Sequence, residues 1–364
     1  MRMNLTLSGL ATPLAVATLT FGLVSCGGGS PTPTADAPPG TAPIVEGKVS
    51  LTGAGASFPA PLYQRWFSDF NKKNPNVTIS YQSVGSGAGV EQFTKGTVDF
   101  GASDVAMKDD EIAKVERGVL MLPMTAGAIV LTYNLPEVKT PIKLSRQTYT
   151  DIFLGKITQW NDPKIAADNQ DLTLPDKKIQ VVHRSDGSGT TGIFTKHLSA
   201  ISPEWKQKVG DGKTVSWPTG VGGKGNEGVT AQVQQLDGAI GYVEFGYASQ
   251  NGLQMAALQN KEGTFVEPTA DSFKATLSAI ELPANMRAFE SDPAGKDSYP
   301  IVSYTWLLAY KQYDDPNKLK ALQAAIDYGL TEGQQVSAEL GYVPLPESVV
   351  AKVEAAKAEM VAKK

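Results

Sequence analysis

The chain has 364 residues, 33 Lys+Arg against 37 Asp+Glu for a formal net charge of −4, 41% apolar residues and 19% charged residues. That balance excludes a disordered chain, a collagen-like repeat and a polytopic membrane protein, and the length allows one large or two ordinary domains. One Cys and two His (His183 and His197) exclude an internal disulfide and argue against a thiolate cluster or a His-rich metal site, while mild acidity argues against nucleic acid as a partner.

Residues 1–25 carry one charge, Arg2, followed by a largely apolar stretch that Pro13 and several Ser and Thr interrupt. A positive start, an apolar middle and small residues at the end describe an export signal, and an uncleaved membrane anchor would share these features. The stretch ends Leu23-Val24-Ser25-Cys26 and so places the chain's only Cys where it resembles a bacterial lipobox, in which the signal is removed and the Cys is lipidated. The Gly-, Pro-, Ser- and Thr-rich residues that follow cannot build a core, and 26–46 read as a tether.

The body begins with a β-rich run at 49–51 and a helix face made by Leu62, Tyr63, Trp66, Phe67 and Phe70. Strands are predicted at 77–81, 97–102, 128–133, 179–183 and 301–310. Helices are predicted through Phe93 and over 188–198, 229–236, 319–330 and 347–362. Alternating strands and helices imply α/β layers around a largely parallel sheet, in which ligands sit at the carboxyl ends of strands.

Four strand-to-helix junctions combine Gly with Ser, Thr or Asp: GAGASFP (53–59), VGSGAG (84–89), GASD (101–104) and RSDGSGTTG (184–192). Ser57, Ser86 and Ser188 stand where a helix N-cap would, and the first N–H groups of a helix suit an oxyanion. Each junction also suits an ordinary capped helix start. Arg184 adds a guanidinium able to bind an oxyanion bidentately, or a salt-bridge partner for Asp186. Asp104 is an acceptor that would repel an anion unless the anion has a proton to donate; monohydrogen phosphate has one and sulfate at neutral pH has none. Asp104 equally suits the acidic start of a helix that continues into Asp109, Asp110 and Glu111.

Catalytic motifs fail by spacing. Gly212-Lys213-Thr214 lacks the upstream Gly of a phosphate-binding loop, since Gln207 stands there, and neither Ser86 nor Ser188 lies in a G-x-S-x-G turn. His183, Asp186 and Ser188 supply triad types, but neighbouring residues of a strand face opposite sides. His197 is expected to be partly exposed on its helix, and the five Trp are expected in the core. The Gly-rich VGGKGNEG (221–228) suits either a cleft wall or a structural turn.

The strings LTGAGASFPAPLYQRW (51–66), VDFGASD (98–104), DIFLGKITQWND (151–162), RSDGSGTTGIFTKHL (184–198), WPTGVGGKGNEGV (217–229) and GAIGYVE (238–244) resemble, in order and spacing, the phosphate-binding components of bacterial high-affinity phosphate ABC transporters. The resemblance spans about residues 48–350. It implies an α/β, two-lobed type II periplasmic-binding fold with a hinge and an interlobe cleft, the lobes being 47–124 with 298–364, and 125–297. It implies phosphate contacts at Ser57, Phe58 (through its N–H), Ser86, Asp104, Arg184, Ser188, Gly189 and Thr190. Gly87 stands where a second Ser can occur. The resemblance further implies a monomeric receptor without cofactor, metal or catalytic residues, extracytoplasmic and lipid-anchored at Cys26, whose partners are inorganic phosphate and permease subunits. A receptor for sulfate or molybdate and a secreted phosphatase are the alternatives.

Overall fold

Two long, buried strands organise the sheet. A computed structural model describes residues 43–288 and 290–364; Cys26 and the proposed signal lie outside them. The main sheet is built from strands β1 (Val49–Gly55), β2 (Val77–Ser83), β3 (Phe100–Ser103), β4 (Val119–Tyr133), β5 (Gln180–Arg184), β6 (Val221–Gly223), β7 (Ala239–Glu244), β8 (Gln254–Met255) and β9 (Val302–Tyr310). They hydrogen-bond in the order β2-β1-β3-β9-β4-β7-β5-β6, with β8 also on β4.

Every residue of β4 and of β9 is buried, and continuous apolar runs of this kind are what a strand covered on both faces requires. β4 changes partners along its length. Its first part, to Ala128, pairs with β9, and its last part, from Ile129, pairs with β7. On either side lie parallel pairs: β1 with β2 and β3, and β5 with β6 and β7. The sheet is therefore mixed rather than largely parallel. The expectation missed this because only residues 128–133 of β4 read as strand, and direction relative to β9 is not encoded in either run. A register shift between Thr305 and Trp306 sits opposite Pro123, which has no N–H to give the ladder.

Helices α1 (Ala60–Lys73), α2 (Ser86–Thr94), α3 (Asp109–Ile112), α4 (Arg146–Phe153), α5 (Gly189–Ile201), α6 (Gly225–Gln235), α7 (Pro316–Leu330) and α8 (Glu347–Lys357) accompany the strands. The helix face expected on α1 is the one it buries, with Leu62, Tyr63, Trp66, Phe67 and Phe70 all in the core. α8 stops at Lys357, short of the predicted 362, because Val361 and Ala362 pair as strand with Gln312 and Tyr313. Trp66, Trp160, Trp205 and Trp306 are buried, and Trp217 packs against the core. Val45, inside the range expected for the tether, is buried, and its carbonyl accepts from Asn76 Nδ2 at 2.7 Å. No helix among the described residues is long and apolar enough to cross a membrane.

Candidate functional site

All four Gly-rich junctions lie at the carboxyl ends of strands. β1 delivers Ser57 and Phe58, β2 leads into Ser86, β3 ends one residue before Asp104, and β5 ends on Arg184 just before Ser188. Ser57, Phe58, Ser86, Asp104, Arg184, Ser188 and Thr190 are each at most 4% exposed. Polar groups are buried at such density only when they satisfy one another or a ligand.

The hydroxyl oxygens are already engaged as acceptors. Ser57 Oγ accepts from Asn226 N at 3.1 Å and from Asn226 Nδ2 at 2.9 Å. Thr190 Oγ1 accepts from Asn226 Nδ2 at 3.3 Å and Arg184 Nη1 at 3.4 Å. Ser188 Oγ accepts from Thr191 N at 3.0 Å. A hydroxyl whose oxygen is accepting still has its proton to give. The array is thus biased to donate. Asn226 is set in this role because its Oδ1 accepts from Glu244 N at 3.0 Å, which turns its NH₂ toward Ser57 and Thr190.

Arg184 is oriented from behind. Its Nε and Nη2 bond Asp186 Oδ1 and Oδ2 at 2.8 and 2.6 Å, a bidentate pair with an Arg side chain only 1% exposed. Asp186 Oδ1 also accepts from Gly225 N at 3.0 Å, tying the start of α6 to the same carboxylate. The positive ends of α2 and α5 add their dipoles. In α5, Thr191 N is taken by Ser188 Oγ and Gly192 N by Ser188 O at 3.0 Å, so the N–H groups of Gly189 and Thr190 are the ones a ligand would meet.

Asp104 is the acceptor in this array. Thr305 Oγ1 donates to its Oδ1 at 2.9 Å, and Ser86 Oγ lies 3.4 Å from its Oδ2 while accepting from Asp104 N at 3.2 Å. Burial pushes the carboxyl up to about 7, against the Thr305 hydrogen bond, the charge of Arg184 and the hydroxyls of Ser86 and Thr190. Gly189 seats α5 against this carboxylate: a Cβ there would lie 2.4 Å from Ser86 Oγ and 2.7 Å from Asp104 Oδ2.

Several sequence readings change in detail. Ser57 is not an N-cap; α1 begins at Ala60 after Pro59, and the Ser57 hydroxyl turns to Asn226 instead. Ser86 is the first residue of α2, behind Gly85, whose φ of 90° favours glycine. Ser188 is a true N-cap. Asp104 is 1% exposed and separate from α3, so it is not a solvated helix acid. Gly87 packs closely on the loop before α5: its N–H bonds Gly187 O at 2.7 Å, and a Cβ would stand 3.1 Å from Gly187 Cα, so a side chain there would need that loop to give by a few tenths of an ångström. His197 is fully buried rather than partly exposed, between Tyr149 OH (2.8 Å) and Ser291 O (2.7 Å). His183 is half-buried, its ring stacked on Trp217 at 4.9 Å. Asn226 and Thr305 were not singled out from sequence. Asn226 lies inside the Gly-rich string noted at 221–228; Thr305 sits mid-strand in an apolar run and carries no local signal. Among the described residues, no group of three or more His, Cys, Asp and Glu could hold a metal ion.

Comparison with known proteins gives the family. A PBP superfamily domain profile matches residues 32–330. The chain is 47% identical over 309 residues to a phosphate-binding protein PstS of Pasteurella multocida, covering 84% of this chain and 89% of that one. The chain belongs to the PstS phosphate-binding protein family. A PstS of the archaeon Methanocaldococcus jannaschii is 42% identical over 348 residues, covering 89% and 87% of the two chains. Among solved structures, a phosphate-binding protein from Stenotrophomonas maltophilia superposes with a TM-score of 0.67 at 19% identity, over 84% of this chain and 93% of that one. At that identity the likeness establishes the fold, which is that of the periplasmic phosphate-binding proteins. In this PstS family member the six motif strings thus lie within one shared architecture.

Proposed function

We propose that this chain is an extracytoplasmic receptor that binds inorganic phosphate and hands it to the permease of an ABC transporter. The observation that carries the reading is the balance of the buried site. Hydroxyls with accepting oxygens, free helix N–H groups and an oriented Arg184 face one carboxylate, Asp104. A tetrahedral oxyanion with one proton to give satisfies both halves: its bare oxygens take the donors and its O–H meets Asp104. Sulfate leaves Asp104 and an oxygen lone pair facing each other. PstS relatives carry phosphate binding in their names.

Ser57, Phe58 (backbone), Ser86, Asp104, Arg184, Ser188, Gly189 and Thr190 are the proposed contacts. The division into lobes 47–124 with 298–364, and 125–297, is supported by the change of partner along β4, from β9 up to Ala128 to β7 from Ile129, close to the proposed boundary. Phosphate that bonds both halves favours the closed form by differential affinity, and exclusion of water strengthens each charge-assisted bond. No covalent step is required, and the reading is of a monomeric binding protein rather than an enzyme, held to a membrane through a lipid on Cys26.

Calorimetric titration with phosphate, sulfate and arsenate at pH about 9, where a carboxyl that titrates at about 7 is ionised, tests it. Phosphate should bind, with sulfate weaker by roughly a hundredfold, the cost of protonating Asp104 at that pH. Sulfate binding comparable to phosphate overturns the reading.

A further inference from the structure

A cavity of about 400 Å³ opens beside the site, with Asp104, Lys108, Lys196, Lys213, Arg287 and Trp306 in its wall. Two ion pairs reach across its rim. Lys213 Nζ is 2.9 Å from Glu111 Oε1, and Arg287 Nη1 is 2.6 Å from Asp109 Oδ1. Both acids belong to α3, shortly after Asp104. Both bases belong to the 125–297 half. The pairs differ in strength, because Lys213 and Glu111 are 22% and 23% exposed whereas Asp109 is 88% exposed. An exposed pair contributes little, and a sheltered, oriented one contributes more.

The Glu111–Lys213 pair is oriented at both ends. Glu111 Oε2 accepts from Lys108 N at 2.8 Å, so the carboxylate is already aimed. The carbonyl of Lys213 accepts from Ser188 N at 2.8 Å, so the same residue holds the cap of α5. One ion pair therefore joins the segment leaving Asp104 to the segment entering Ser188. Beneath it the surfaces are in close contact, since a Cβ on Gly192 would stand 2.8 Å from Val105 Cγ2.

We infer that the Glu111–Lys213 pair is a latch that sets the residence time of phosphate without touching it. The inference rests on the proposed receptor function and its two halves. The pair spans those halves, so it stabilises the closed arrangement alone and acts mainly on dissociation. Its sign separates it from general electrostatics. Neutralising Glu111 leaves the rim more positive, and plain attraction would then hold a phosphate dianion longer. Loss of a latch releases it sooner.

The test is stopped-flow phosphate release from the full chain and from Glu111→Gln, Lys213→Gln, the double variant and Asp110→Asn. Asp110 supplies the same charge change on α3 and pairs only loosely, 4.0 Å from Lys114. Release should quicken roughly three- to tenfold in each pair variant, with the double variant no faster than the singles and Asp110→Asn unchanged. Unit binding stoichiometry in each variant shows that it has folded. Release from Glu111→Gln that is unchanged or slower, additive effects in the double variant, or equal acceleration in Asp110→Asn each overturn the latch and leave the receptor function standing. A wild-type chain that binds no phosphate overturns both.

Discussion

Asp104 is held by two opposing influences, burial that favours its neutral form and neighbours that favour the anion, and its carboxyl lies at about 7 as a result. A group poised there makes ligand choice depend on pH in a definite direction. Phosphate brings its own proton, whereas sulfate needs Asp104 to be protonated. Sulfate affinity should therefore be weakest above pH about 7 and tighten by up to about tenfold per pH unit as pH falls toward that value. Titrations at several pH values check this, and a flat sulfate profile would remove Asp104 from the ligand. Asp104→Asn should weaken phosphate more than sulfate and abolish the sulfate profile; the reverse order rejects the selectivity argument. Arg184→Ala should weaken phosphate by more than about 2 kcal/mol, since it removes a buried charge-assisted donor and strands Asp186. Unaltered affinity in that variant would refute its placement. At this scale the sequence is informative about which polar residues gather in the buried candidate site and uninformative about their partners. Arg184 with Asp186 was foreseen, but Ser57 with Asn226 was not.

At the scale of elements, α5 does two jobs on two faces. Its first turn abuts Ser86 and Asp104 through Gly189, where a Cβ would be 2.4 Å from Ser86 Oγ. Gly189→Ala should cost phosphate affinity about tenfold or more through overpacking, while melting of the ligand-free chain holds steady or rises by helix propensity. A variant that melts early and binds normally would contradict this. Further along, His197 is buried and neutral, with Tyr149 and Ser291 on its two ring nitrogens. Burial lowers it to about 4, well below the usual value of about 6.5 for an unfolded His. A His whose folded value is lowered contributes stability that is present above about 6.5 and is lost as pH falls toward 4, by up to about 3 kcal/mol in all. Chemical unfolding between pH 7 and 4 should show that decline, and His197→Gln should flatten it. The helical period correctly placed α5 on the chain but misjudged His197. Exposure depends on what covers a helix face, and here α4 and residues near 291, both distant in sequence, cover it.

At the scale of the whole molecule, β4 runs from β9 to β7 and so links the two proposed halves, and the proposed anchor lies outside the described residues. Cys26→Ala should leave the chain unlipidated and shift it from membrane to soluble fractions, which intact-mass analysis of both fractions reads directly. An unmodified wild-type Cys26 in a membrane fraction would refute the anchor. The contacts between the proposed halves include a backbone bond from Gly87 to Gly187, the Ser57–Asn226 bonds, the Ser83–Glu227 bond of 2.9 Å and the Glu111–Lys213 pair. Each is modest alone, which suits the proposed cycle of closing on phosphate and reopening.

What the sequence determined by itself was local. Apolar period, Gly at tight junctions and Ser ahead of a helix report backbone conformation within a few residues, so the order of strands and helices and the junctions that meet at the candidate site were legible. The motif strings extended this to the family. What only the tertiary structure decided was which distant groups meet. Thr305 reaches Asp104 across 201 residues and Asn226 reaches Ser57 across 169. The direction of β9 beside β4 and the burial of Asp104 belong to the same class. These depend on long-range pairing whose free energy comes from packing the whole sheet, and no window of neighbouring residues contains it.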